Sequence, residues 1–251
     1  MTTARAIGRL FSESWGFVLL LAAWQIWVMT ASYNPIVVVS PWAVIRDIAL
    51  NPATYARPTL WTLEFALCGL LGGMIVGLLL AVVGWWSEIF ASAVSPAALI
   101  LSSTPVVCLI PLLARIFGYE SRTEFFTVTI MTFFPSFVFA SAGLRKVPPM
   151  SSDLFTVLHA GRGKRLFLLA LPSAMPSLAV ALRMGAAYSI LVAMVAEFLM
   201  QTGGLGFMFA VTMQQFDMAR ALGASLMAMF LSAVLYLGSG AVERAVATRY
   251  C

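Results

Sequence analysis

The stretch "CGLLGGMIVGLLLAVVGWW", Cys68–Trp86, carries no charged side chain. A run this long and this apolar has one stable home, a helix in lipid, where every backbone N–H and C=O must be satisfied within the segment. Gly69, Gly72, Gly73, Gly77 and Gly84 recur through it. Small residues let neighbouring helix backbones come close, the usual device where lipid supplies no hydrophobic drive for association. The stretch is read as the second half of a membrane span over about 60–85.

The rest of the chain agrees. Of its 251 residues, 61% are hydrophobic and 10% charged, against about 45–50% and about 25% in soluble domains. With a mean hydropathy of +0.96, there is too little polar surface to coat a globule in water. The expected fold is all-α and polytopic, with about six transmembrane helices over 15–31, 60–85, 90–117, 125–144, 177–200 and 222–237, in one domain covering 1–251. Pro96, Pro105 and Pro111 predict that the third span is kinked or broken. Pro35, Pro41, Pro52 and Pro58 predict an extended linker between the first and second spans. The opening "WGFVLLLAAWQIWVMTA" (Trp15–Ala31) is longer than a signal-peptide core and lacks a small-x-small cleavage site, so it reads as an uncleaved span.

The net charge of +5 reports topology rather than a nucleic-acid partner. With six crossings, Arg5, Arg9, Arg145, Lys146, Arg162, Lys164, Arg165, Arg244 and Arg249 fall on one side, which the positive-inside rule makes cytoplasmic. Both termini are then cytoplasmic. Three cysteines without metal-type spacing and a single histidine argue against a disulfide framework or a metal site. The fourteen methionines read as adaptable packing.

The basic stretch "LHAGRGKRLFLLALP" (Leu158–Pro172) interrupts the spans. It fails as a nucleotide loop, because Gly163-Lys164 is followed by Arg165 where a hydroxyl is needed and no strand precedes it. A plain inside-positive loop accounts for its charge but not for its flanks. From Asp153 the order is an acid, an apolar pair, a turn of small and basic residues, then an apolar run ending in Leu171-Pro172. This predicts a short amphipathic helix, a break at Gly161 and Gly163, and a second short helix in the membrane plane, a projecting element over 145–171 fit for a partner's groove.

Here the chain resembles the permease subunits of ATP-binding-cassette importers, in the branch handling nitrate, sulfonates and taurine. That family's cytoplasmic loop reads E-A-A, three residues, Gly, nine residues, then apolar-x-Leu-Pro. "DLFTVLHAGRGKRLFLLALP" has that length and ending, with Asp153-Leu154-Phe155 at the E-A-A position and His159 at the glycine. Further similar segments follow in family order: "SPWAV" (Ser40–Val44), "TPVVCLIPLLARIFG" (Thr104–Gly118), "FFPSFVFASAGLR" (Phe133–Arg145), "AMPSLAVALRMGAAYSILVAMVAEFL" (Ala174–Leu199) and "GGLGFMFAVTMQQFD" (Gly203–Asp217).

The resemblance implies a type I importer fold in a bacterial inner membrane. It implies two permease subunits, identical or related, and two ATPase subunits carrying ATP and Mg. A periplasmic or lipid-anchored binding protein would deliver a small anionic or polar solute such as a sulfonate, nitrate, taurine or a carboxylate. Asp153, Leu154, Phe155, His159, Ala160, Gly161, Arg162, Gly163, Leu171 and Pro172 would form the ATPase-coupling element. No catalytic residue, cofactor or metal is expected on this chain itself.

Candidates for the translocation path are polar residues within the spans: Thr104, Thr132, Tyr188, Ser189 and Glu197. For most hydroxyls the competing account is a bond to their own helix. Glu197 is costly in a span, unless it is a helix-end glutamate reaching the interface. Glu64 reads as interfacial, and Arg183 as structural, reaching headgroups or an acid such as Asp153. Two other functions fit the sequence less well. An ion-driven secondary transporter usually shows repeated halves and intramembrane carboxylates, and an intramembrane hydrolase needs a nucleophile with a base. Neither pattern is visible.

Overall fold

The computed structural model describes residues 2–31 and 38–250. Pro35 and Cys251 lie outside these. Among the described residues every regular element is a helix. They are α1 (Thr2–Ala31), α2 (Pro41–Leu50), α3 (Pro52–Trp86), α4 (Glu88–Ser103), α5 (Val106–Phe117), α6 (Ser121–Arg145), α7 (Pro149–Val157), α8 (Arg162–Met200), α9 (Gly204–Gln214) and α10 (Met218–Tyr250).

Four of them, α3, α6, α8 and α10, are long and apolar enough to cross a membrane. A fifth crossing is the pair α4–α5, bent by 105° at its break, if the pair is taken as one span. The first expected span falls on α1, whose apolar stretch Val18–Thr30 is shorter. The break in the third region lies where proline chemistry puts it. Pro105 forces Thr104 into extended backbone (φ −75°, ψ 125°), because its ring clashes with a helical predecessor. Pro96 and Pro111 stay inside helices.

Two expectations are corrected. The linker is helical over Pro41–Leu50 and again from Pro52 on, not extended. Pro41 and Pro52 occupy first-turn positions of α2 and α3, where a missing N–H costs nothing and φ is already helical. Ser40 caps α2 by accepting the Ala43 N–H at 3.3 Å. The helix that carries the fifth expected span also begins far before residue 177. Arg162 to Met200 is one continuous helix, so the second in-plane helix of the expected loop does not exist as a separate element. Five residues, Leu166–Ala170, wind in the wider π form, with the Leu171 N–H reaching the Leu166 carbonyl. That wider turn sits directly before Pro172, which has no N–H to offer the preceding turn.

Gly69, Gly72, Gly73 and Gly77 of the opening stretch face α6, and Gly84 faces Ala91 of α4. A side chain at Gly73 would strike Thr132 and the α6 backbone at Thr129 and Phe133, and Thr132 Oγ1 donates to the Gly69 carbonyl at 3.2 Å across the same contact. The opposite face of α3 exposes Leu71, Ile75 and Leu79. A helix apolar all round, small inside and large outside, is a membrane span rather than a water-facing one.

Candidate functional site

Two places concentrate polar chemistry, at opposite ends of the bundle. At one end α6 stops at Arg145, and Val147-Pro148 lead into α7, which buries none of its residues. Met150, Leu154, Val157 and Leu158 are 86%, 56%, 74% and 66% exposed. The α7 helix ends in a Schellman turn. The Ala160 N–H bonds to the Phe155 carbonyl and the His159 N–H to the Thr156 carbonyl, both at 3.0 Å. His159 itself sits at φ +49°.

Glycine is the usual residue at this left-handed position, and His159 is where the resembling family places one. The bend therefore falls at His159. Gly161 (φ −62°) and Gly163, in the first turn of α8, do not supply it. Arg165 fastens the turn by donating to Ser152 Oγ at 3.1 Å. Asp153 through Gly163 are brought together here, with Asp153, Leu154, His159, Gly161 and Arg162 exposed and Phe155 and Ala160 half-buried. Leu171 and Pro172 are not part of this tip; they lie within α8.

At the other end, Glu197 is fully buried near the end of α8. Its Oε2 accepts from Thr62 Oγ1 at 2.9 Å and from the Gly206 N–H at 2.8 Å. Thr62 accepts the Leu205 N–H at 2.9 Å in turn. Gly204 stands at φ +76°, and a Cβ there would overlap the Glu197 carboxyl. Glu197 is thus no interfacial helix-end residue. It fastens α8 to α3 and to the start of α9.

Beside it lies Glu124 from the first turn of α6, also fully buried. Its Oε2 accepts from Thr202 Oγ1 at 3.3 Å and Trp61 Nε1 at 3.4 Å. Trp61 and Thr62, adjacent in α3, thus each donate to one of the two carboxyls, while Oε1 of each carboxyl has no donor. Sequence reasoning missed Glu124, Trp61, Thr62 and Thr202. The available signal was an acid in "TEFFTVTIM" (Thr123–Met131) at the head of a span.

The other path candidates are scattered. Thr132 and Ser189 are fully buried and bond to the carbonyls of their own helices, Val128 at 2.8 Å and Ala186 at 3.0 Å. Thr104 bonds to the Ile100 carbonyl at 3.2 Å. Tyr188 is half-exposed, with its hydroxyl 3.7 Å from Met131 Sδ. Glu64 is exposed. Arg183 pairs with Glu243 at 2.9 Å, not Asp153, and lies 4.3 Å from the Tyr236 ring centroid. Next to the carboxyl pair, a cavity of about 580 Å³ is lined by Arg57, Trp61, Thr202, Phe207 and Arg220. Among the described residues no three His, Cys, Asp or Glu side chains converge on one point.

Comparison with known proteins places this architecture. The chain is 28% identical over 202 residues to the formylaminopyrimidine transport permease ThiX of Halalkalibacterium halodurans, covering 80% of each chain. It is 28% identical over 229 residues to the riboflavin transport system permease RibX of Chloroflexus aurantiacus, covering 90% of this chain and 85% of that one. The taurine transport system permease TauC of Escherichia coli is 25% identical over 198 residues, covering 75% and 71%. In structure it is similar to an inward-facing MetNI methionine ABC transporter chain, with a TM-score of 0.66, 19% identity, and coverage of 78% of this chain and 98% of that one. The family of binding-protein-dependent transport system inner membrane components matches residues 69–250, and the chain belongs to it, as an integral multi-pass permease subunit of an ABC importer.

Proposed function

We propose that this chain forms, with a second permease subunit of the same or a related kind, the pore of an ATP-driven importer in a bacterial inner membrane, with both termini cytoplasmic. ATP and Mg are bound by two partner ATPase subunits that dock on the α7–α8 turn. A periplasmic or lipid-anchored binding protein delivers solute to the opposite end. The observation that carries this reading is the α7 surface. Met150, Leu154, Val157 and Leu158 are exposed on a short, rigid helix–turn with basic residues beside it. Apolar side chains presented this way are what a hydrophobic groove accepts. A rigid contact is also what lets a two-state ATPase bias two arrangements of the bundle. In this reading Asp153, Leu154, Phe155, His159, Ala160, Gly161, Arg162 and Gly163 form the contact, and Leu171 and Pro172 connect it to the span.

The solute is a small polar or anionic compound such as a sulfonate, nitrate, taurine or a carboxylate. Arg57, lining the 580 Å³ cavity at the end opposite the docking turn, supports an anion, whereas Arg220 on the same wall is paired with Asp47 and Asp217. Thr104, Thr132, Tyr188, Ser189 and Glu197 remain the proposed contributors to the path and its gating. The test is uptake into vesicles carrying the permease with its ATPase and binding protein. Uptake requires ATP inside and survives collapse of the ion gradients. Uptake driven by a gradient without ATP contradicts the reading.

A further inference from the structure

A second cavity, of about 690 Å³, lies on the docking-turn side of the bundle, independent of the solute path. It is walled by Trp85 and Trp86 at the end of α3, Glu88 and Ile89 at the start of α4, and Arg145, Arg162 and Arg165 from α6 and α8. Three guanidinium groups face one carboxylate. Among the described residues none of the three arginines forms an ion pair. Arg165 donates to Ser152 and Thr156; Arg145 and Arg162 are exposed and hold no side-chain hydrogen bond among the described residues. The N-terminus of α4, with Ser87 capping the Phe90 N–H at 3.3 Å, adds the positive end of a helix dipole to the same wall.

An anion with several acceptor oxygens fits this fork geometry, because guanidinium donors match phosphate in pairs. The rim is apolar as well as basic. Ile89 is 86% exposed and Trp86 44%, at the end of a span where tryptophan marks the headgroup level of a bilayer. We propose that this cavity binds the headgroup phosphate of an anionic phospholipid, whose acyl chains lie along the apolar rim. Basic pockets between helix ends at the bilayer surface take such headgroups. A lipid bound here ties the α3–α4 junction to Arg162 and Arg165. It thereby sets the position of the turn that presents α7.

The experiment uses the full chain purified in mild detergent, with native mass spectrometry and thermal unfolding as readouts. Phosphatidylglycerol, phosphatidylcholine and inorganic phosphate are added separately. The test variant is Arg145→Gln/Arg162→Gln, which disturbs no side-chain hydrogen bond among the described residues. The control is Lys164→Gln/Arg249→Gln, which removes the same charge away from the cavity. The wild type and the control retain phosphatidylglycerol and unfold at a higher temperature with it, while the test variant binds it on the order of tenfold more weakly. Equal retention by the test variant, or equal retention of phosphatidylcholine, overturns the proposal. An equal thermal shift with inorganic phosphate makes this a free-anion site and also overturns it. Loss of bound phosphatidylglycerol on adding the partner ATPase assigns the cavity to a protein contact instead.

Discussion

Thr62 Oγ1 donates to Glu197 Oε2 at 2.9 Å while accepting the Leu205 N–H at 2.9 Å, so one hydroxyl joins α3, α8 and α9. Buried polar groups stay in place only when paired, and here the pairing substitutes for the hydrophobic drive that lipid withholds. Gly204 is the position the cluster constrains most tightly. Gly204→Ala puts a methyl group into the Glu197 carboxyl in a backbone region costly for side chains. The expected loss of stability is ~2–4 kcal/mol, read as a lowered unfolding temperature in detergent.

The neighbouring Glu124 separates charge from connectivity. Glu124→Gln keeps an oxygen for Trp61 and Thr202, so the chain should unfold near the wild-type temperature. Glu124→Leu removes the acceptor of Trp61 Nε1 and Thr202 Oγ1 and leaves both donors unpaired. That should cost about 1–3 kcal/mol. Equal stability of the two variants would show that the bonds from Trp61 and Thr202 do not hold the fold.

Glu197→Gln retains an oxygen for Thr62 and Gly206, so assembly should persist. The proposed gating role predicts reduced ATP-dependent uptake by the assembled variant. Unchanged uptake would leave the charge of Glu197 without a part in transport.

His159 provides a local test of the loop. Its left-handed backbone (φ +49°) should make His159→Gly neutral or stabilising by about 1 kcal/mol. His159→Val, stiff at Cβ, should unfold earlier. The comparison is by thermal unfolding, with ATPase retention as the second readout.

The network around Asp47 gives a pH dependence outside the spans. Burial acts to raise the Asp47 carboxyl, but hydrogen bonds from Tyr55, Arg220 and Asn51 and the Arg220 charge outweigh it and hold it below its ordinary 3.8. The Tyr55 bond is 2.6 Å and the Arg220 contact 3.4 Å. A depressed carboxyl stabilises the fold fully above its ordinary value, and the effect is lost as pH falls through the folded value. The stability gap between wild type and Asp47→Asn should therefore close on acidification below that range. A gap that widens there would contradict the network.

The membrane class, a break in the third region and close helix packing at the α3 glycines were legible because each follows from local chemistry: apolar length, a missing N–H and absent side chains. Pro41 and Pro52 misled because proline starts helices as readily as it ends them. The position of the bend at His159 was hidden because a histidine shows no outward sign of left-handed backbone. Glu124 was invisible for another reason. Its meaning depends on Glu197, far away in sequence, and no single-chain periodicity announces such a pair. Likewise, Arg183 finds Glu243 only once α8 and α10 are packed.

The most direct measurement is co-purification of the tagged chain from native membranes, wild type against Leu154→Asp/Val157→Asp. Both positions are exposed on α7 (56% and 74%), so the substitutions spare the bundle. The account predicts an ATPase subunit retained by the wild type and lost from the variant, with the variant still folded in the membrane. An ATPase held equally by both would contradict the assignment of the α7–α8 turn as the docking element.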